Sequence, residues 1–162
     1  MNLHSITYLG SIGDASLENI LSKLEPSVVS DTMRVSQLFA AENFNYASQS
    51  KSVVCGARFD GSEDIGGADC DLVCDGTLID IKSFKKPKFS AEILRQLIGY
   101  FLLDYNDTYS IRSFAIYFSR HKFWRTIDMT ELGFNEEIVS LRAEFRLKMR
   151  ALRITREQRF IS

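Results

Sequence analysis

The 162-residue chain is 45% hydrophobic and 25% charged with a net charge of −1, enough apolar material for one domain with a proper core across residues 1–162. No apolar run approaches the ~20 residues of a membrane span, and Met1-Asn2-Leu3-His4 has neither the basic start nor the apolar stretch of a secretory signal, so a cytoplasmic protein is expected. Three cysteines in no regular framework speak against a secreted disulfide scaffold and, being fewer than four, against an iron–sulfur cluster.

Asp14 or Ser16 can cap a short helix to about residue 24, which Pro26 stops, and Ser30 or Asp31 can cap a second to about residue 43. Residues 52–59 read as a strand and the glycine-rich stretch 60–67 as a loop. Residues 68–74 and 77–83 are two strands joined by Asp75-Gly76, a two-residue hairpin signal. On one strand Cys70 and Cys74 stand roughly 13 Å apart at ~3.3 Å per residue, too far to share a zinc ion. Both read as small buried hydrophobes. A basic connector, Lys85-Lys86-Pro87-Lys88, leads to a helix capped by Ser90 and running to about residue 104, with Phe89 placed to pack on Leu94. Residues 111–119 and 122–129 form a second hairpin. The core, about 31–129, is followed by a helix over about 135–159 whose apolar face is Ile138, Leu141, Phe145, Met149 and Leu152. The order predicts a mixed α/β domain, one central sheet covered by helices.

The Asp75-Gly76 turn also predicts a register. Cys74 faces Thr77, Val73 faces Leu78, and Leu72 faces Ile79; continuing, Asp71 faces Asp80 and Asp69 faces Lys82. Alternation puts Asp69, Asp71, Asp80 and Lys82 on one face, and Cys70, Leu72, Cys74, Thr77, Ile79 and Ile81 on the other. Opposed carboxylates with Cβ atoms ~5 Å apart repel. Lys82 offsets part of that repulsion, and a hard divalent cation would offset the rest. Such a cation activates water and stabilises charge on a transferring phosphoryl group. The bland alternative is a solvated edge hairpin with a surface Asp–Lys pair of little energetic weight. On the next helix, Glu92, Gln96 and Tyr100 recur every fourth residue and share one face.

Gly66-Gly-Ala-Asp-Cys-Asp71 through Leu78-Ile-Asp80-Ile-Lys82 resembles the core of the PD-(D/E)xK nuclease superfamily, and Gln96-x-x-x-Tyr100 resembles the added motif of its RecB-type branch. The resemblance implies a restriction-endonuclease-like αβββαβ core and magnesium- or manganese-dependent hydrolysis of phosphodiester bonds in DNA, in repair, recombination or defence against mobile DNA. Carried onto this chain, Asp71, Asp80 and the main-chain carbonyl of Ile81 bind the metal, Lys82 assists catalysis, and Gln96 and Tyr100 match the branch motif. Asp69 is a further ligand candidate. The family often adds a ligand from its first helix, for which Glu42 and Glu18 are the candidates. The chain departs from the pattern in having no proline before the first aspartate and in carrying Ala68 where glycine is expected.

Charge is unevenly spread. Residues 1–81 hold four Lys or Arg against twelve Asp or Glu, and residues 82–162 hold sixteen against nine. A polyanion on the basic part and cations on the acidic part would account for this, as would solvated helix faces. Lys85, Lys86 and Lys88 are placed to grip a phosphate backbone. Arg120, His121, Lys122, Trp124 and Arg125 form a basic, aromatic hairpin tip suited to stacking on a base. Arg142, Arg146, Arg150 and Arg153 form a stripe that would track DNA or a partner protein. The expected partners are DNA and a second copy or another protein that supplies specificity. The alternative function is a catalytically inactive nucleic-acid-binding or assembly module on the same fold.

Overall fold

The computed structural model describes residues 25–134 and 138–161, with the side chains of 42–47, 156 and 159–161 outside the description. The helix expected to end near residue 24 therefore lies outside the described residues. The chain divides into two compact units, Met1–Gln37 and Leu38–Ser162.

Helix α1 (Pro26–Gln49) begins in the first unit. It starts four residues ahead of the expected Ser30 cap, because proline fits the first helical position, where its missing N–H costs nothing. It also outruns residue 43, since no glycine or proline interrupts residues 27–55.

The second unit is built on one five-stranded mixed sheet in the order β1 (Val53–Arg58), β2 (Asp69–Cys74), β3 (Thr77–Lys82), β4 (Ser113–Phe118), β5 (Phe123–Asp128). The β3–β4 pair is parallel and the other three are antiparallel. Parallel neighbours need a crossover, and α2 (Ala91–Leu103) supplies it. Ser90 caps α2 as expected, its hydroxyl accepting from the Ile93 amide. Helix α3 (Ile138–Ile161) follows β5 and a short 3-10 turn. The Asp75-Gly76 turn has the positive φ values, 47° and 80°, that a tight hairpin requires. A Cβ on Gly76 would meet the Ser110 carbonyl at 2.6 Å, so the position tolerates only glycine. Among the described residues no helix is long and apolar enough to cross a membrane.

Each sheet face has its own core. Val73, Leu78, Phe114 and Ile116 pack with Ile93, Leu97 and Phe101 of α2, and Ile138, Leu141 and Phe145 of α3 join them. The opposite face gathers Leu72, Cys74, Ile79 and Ala115 with Ile81 and Trp124. There the buried Tyr117 ring lies 4.7 Å from Trp124 and 5.8 Å from Phe39.

On α3 two expectations change. Leu152 is exposed rather than apolar-face. Of the arginine stripe, Arg142 turns inward, while the Arg150 and Arg153 side chains stay 55% and 43% exposed. Arg142 is 5% exposed. Its guanidinium sits 4.3 Å over the Phe101 ring, donates to the Phe101 carbonyl at 3.2 Å and pairs with Asp107 at 2.6 Å. It also lies 3.9 Å from the fully buried Asp104, which accepts from the Thr108 and Tyr109 amides. Arg146 lies over Tyr105, and Arg150 and Arg153 approach Asp64 at 3.9 and 3.4 Å.

Arg142→Ala leaves Asp104 as a buried charge without its nearest cation. It is expected to cost ~3–5 kcal/mol of unfolding free energy, read from the urea midpoint. The same change in an Asp104→Asn background is expected to cost clearly less; equal losses in both backgrounds would show that the ion pair carries none of the effect.

Candidate functional site

The first three rungs of the β2–β3 hairpin are those the turn dictates: Cys74–Thr77, Val73–Leu78 and Leu72–Ile79. The next, Asp71–Asp80, is not a rung, which corrects the simple extrapolation. Beyond Ile79, strand β3 stays in register with β4, pairing Asp80 with Ile116 and Lys82 with Phe118. The β1–β2 ladder meanwhile steps over Gly56 and Asp71, resuming at Ala57–Cys70 and Arg58–Asp69. Gly56 has φ +59°, a left-handed conformation that breaks strand alternation cheaply only at glycine. Cys70 joins the Val73 and Leu78 core instead of the Leu72 face assigned to it by strict alternation. Its thiol is pushed up to about 12, chiefly by burial. Cys70 and Cys74 lie in different cores and are free thiols.

Asp71 spans the place where the hairpin ladder stops. Its Oδ2 accepts from the Ile81 amide at 2.6 Å. Asp80 is 4% exposed. Burial raises its pKa above the ordinary carboxylate value; Lys82 opposes that shift and the Asp71 charge adds to it. The two carboxylates thus interact electrostatically although they are not a directly paired rung.

From Asp80 a polar relay crosses to α2. The Lys82 ammonium donates to Asp80 Oδ1 at 3.1 Å and lies 2.9 Å from Oδ2. That second contact is close enough for ion pairing, but no hydrogen bond is directed at Oδ2, which is buried. Lys82 also donates to Gln96 Oε1 at 3.0 Å, and Gln96 Nε2 donates to the Tyr100 hydroxyl at 2.8 Å. An ammonium has only donors, so it fixes which end of the Gln96 amide faces it. The Tyr100 ring is stacked on Phe59 at 5.4 Å. Burial raises the Tyr100 pKa, and Asp80, Asp69 and Asp71 add to the rise. The four-residue spacing of Glu92, Gln96 and Tyr100 thus does serve one face. Glu92 lines a cleft of about 400 Å³ with Lys82, Lys88 and Gln96.

Asp69 is exposed, on the Arg58 rung. Glu42 lies within α1 with its side chain outside the description, and Glu18 lies outside the described residues. Among the described residues no group of three His, Cys, Asp or Glu gathers as a ligand set. The hard carboxylate oxygens of Asp71 and Asp80 fit part of the ligand set of a divalent cation, with the Lys82 ammonium 2.9 Å from Asp80 Oδ2.

The two basic segments meet beside this site. Ser83 and Ser119 share a 2.8 Å hydroxyl contact, the Ser119 amide donates to the Lys82 carbonyl, and Arg120 Nε donates to the Ser83 carbonyl at 2.8 Å. His121 Nε2 lies 3.1 Å from the Phe84 carbonyl. Lys85, Lys86, Lys88, Lys122 and Arg125 are exposed, and Arg120 is half-buried. Trp124 is not the aromatic of the basic tip, since it packs on Tyr117. Phe84, Phe89 and Phe123 are exposed instead, at 46%, 45% and 51%. Period-two alternation carried the signal for Phe123: residues 123, 125 and 127 share the face opposite Trp124.

Comparison of the chain with protein-family models, with curated proteins and with solved structures gives no match.

Because its folded-state pKa is raised, Asp80 binds its proton more tightly in the folded than in the unfolded chain. Its contribution to stability therefore falls as pH rises from the ordinary carboxylate value through the raised one. Asp80→Asn is expected to raise the Tm at neutral pH by a few degrees, with the advantage shrinking as pH falls through the raised value and gone below the ordinary carboxylate value. A pH series of thermal melts on both proteins checks this; a variant less stable at neutral pH would show that the Lys82 attraction outweighs burial.

Proposed function

We propose that this chain is a metal-dependent nuclease acting on DNA, with a PD-(D/E)xK site on a restriction-endonuclease-like core. The observation that carries the reading is the continuous relay Asp80–Lys82–Gln96–Tyr100, whose ends lie twenty residues apart in the chain and which is aimed at one buried carboxylate. Asp71 and Asp80, with the Ile81 carbonyl, would hold Mg²⁺ or Mn²⁺, which when bound supplies Lewis-acid polarisation of the phosphoryl oxygens. Asp69 and Glu42 are the further ligand candidates.

The chain's own groups divide the remaining work. Lys82 places its ammonium beside the carboxylate, where it can orient an attacking water or stabilise charge developing on the phosphate. Gln96 holds Lys82 from the helix side, and Tyr100, seated on Phe59, holds Gln96. Lys85, Lys86, Lys88, Arg120, Lys122 and Arg125 would contact the DNA backbone beside that centre. Repair, recombination or defence against mobile DNA is the proposed setting, within the cytoplasm, with a second copy or another protein supplying specificity.

A second reading, a non-catalytic nucleic-acid-binding module, is favoured by the Lys82–Asp80 pairing itself. An internal ammonium within 3.1 Å of one carboxylate oxygen and 2.9 Å of the other neutralises Asp80 without any metal.

The test is incubation with linear and circular DNA, single- and double-stranded, with Mg²⁺. Lys82→Ala and Asp80→Ala are expected to lower cleavage at least ~10²-fold. Cleavage indifferent to both substitutions overturns the catalytic assignment. Mg²⁺ at about a hundredfold excess over its Kd is expected to stabilise the wild type by about 2.7 kcal/mol and Asp71→Ala by much less. No metal-dependent shift in either protein favours the non-catalytic module.

A further inference from the structure

The connector between β3 and α2 borders two clefts. One is the Lys82–Gln96 cleft of the candidate site. The other, about 680 Å³, is lined by Pro87, Phe89, Leu94, Phe118, Phe123 and Arg125, with Glu131 as its acidic wall residue. Its walls are apolar, yet two of its phenyl rings stand in solvent: Phe89 is 45% and Phe123 51% exposed. The Phe123 ring is stacked beside the buried Phe118 ring, with centroids 6.2 Å apart and planes at 29°. Lys85, Lys86 and Lys88 are exposed on the same connector that carries Phe89, and Arg125 is exposed on the strand that carries Phe123.

Exposed phenyl rings beside exposed positive charge match one ligand chemistry closely. A duplex keeps its base faces stacked inside and offers phosphates and groove edges. An unpaired nucleotide offers a bare π-face and a phosphate together, which is what stacking platforms flanked by lysine and arginine take up. An apolar protein segment would use the rings but would have little use for Arg125 in the groove wall or for the exposed lysines of the adjoining connector.

We infer that this groove is a subsite for unpaired bases of a single-stranded polynucleotide, with Phe89 and Phe123 as stacking platforms and Lys85, Lys86, Lys88 and Arg125 holding the backbone. The inference rests on the nucleic-acid reading of the neighbouring Asp80 site and names the form of its substrate.

The experiment is fluorescence anisotropy of the full chain with labelled oligonucleotides of about 15 nucleotides, single-stranded and blunt duplex, in EDTA. The single strand is expected to bind more tightly than the duplex at equal salt. Phe89→Ala and Phe123→Ala are each expected to weaken single-strand binding about tenfold and leave duplex binding unchanged, while Phe123→Trp retains it. Both rings are about half exposed, so thermal melts of the alanine variants should show them folded, with at most a modest loss of Tm. Equal affinity for both DNA forms, or single-strand binding indifferent to both alanine substitutions, overturns the subsite; indifference of that kind is also what a protein-docking groove predicts. Because EDTA stops metal-dependent cleavage, this readout stands or falls separately from the Lys82→Ala cleavage assay.

Discussion

A carboxylate taken out of water at the end of a central strand is costly, and the surroundings of Asp80 are arranged around that cost. Burial disfavours its charge, and the neighbouring Asp71 disfavours it further. The Lys82 ammonium, two residues along the same strand, provides the compensating attraction. An ion pair of this kind is a poor device for stability, since an apolar pair of similar volume often serves as well or better. On the proposed nuclease reading, the pair is retained for what a poised carboxylate and ammonium would do chemically. Lys82 in turn is not left to wander: Gln96 and then Tyr100 fix it from α2, so the geometry of the pair is set by the packing of helix on sheet.

That packing depends on a local irregularity. Were β1, β2 and β3 a uniform antiparallel ladder, Asp71 would sit squarely across from Asp80. Instead Gly56 takes a left-handed conformation and the β1–β2 ladder skips Asp71, while β3 follows its parallel partner β4. Asp71 is thereby released from a direct rung and anchors to the Ile81 amide, next to the carbonyl that the same peptide segment presents.

The basic rim follows from the same parallel pairing. Because β3 and β4 run side by side, the segment leaving β3 and the turn leaving β4 emerge together. Contacts from Ser119, Arg120 and His121 to the Lys82, Ser83 and Phe84 carbonyls then stitch them. Lysines and exposed phenylalanines that are distant in the chain thereby come to border one region. The arginines of α3 take a different part, because Asp64, Asp104 and Asp107 engage them along the opposite turns.

Much of this was legible in the chain. Asp75-Gly76 determined the hairpin and its first three rungs because both turn positions need positive φ. Ser90 determined where α2 begins, and the fourfold spacing of Gln96 and Tyr100 put them on one helix face. Hydrophobic periodicity was enough for a mixed α/β sheet. Other features required the tertiary structure, because they depend on contacts between residues far apart. The Asp71 displacement needed the competing pull of β1 and β4 on adjacent strands. The inward turn of Arg142 needed acidic loops that reach it only after folding. Alternation separated Phe123 from Trp124, but that Phe123 is the exposed ring of the two needed the Trp124–Tyr117 contact, which forms only in the folded sheet. Local sequence sets backbone preferences one segment at a time, whereas burial, and with it the charge state of Asp80, is a property of the whole assembled sheet.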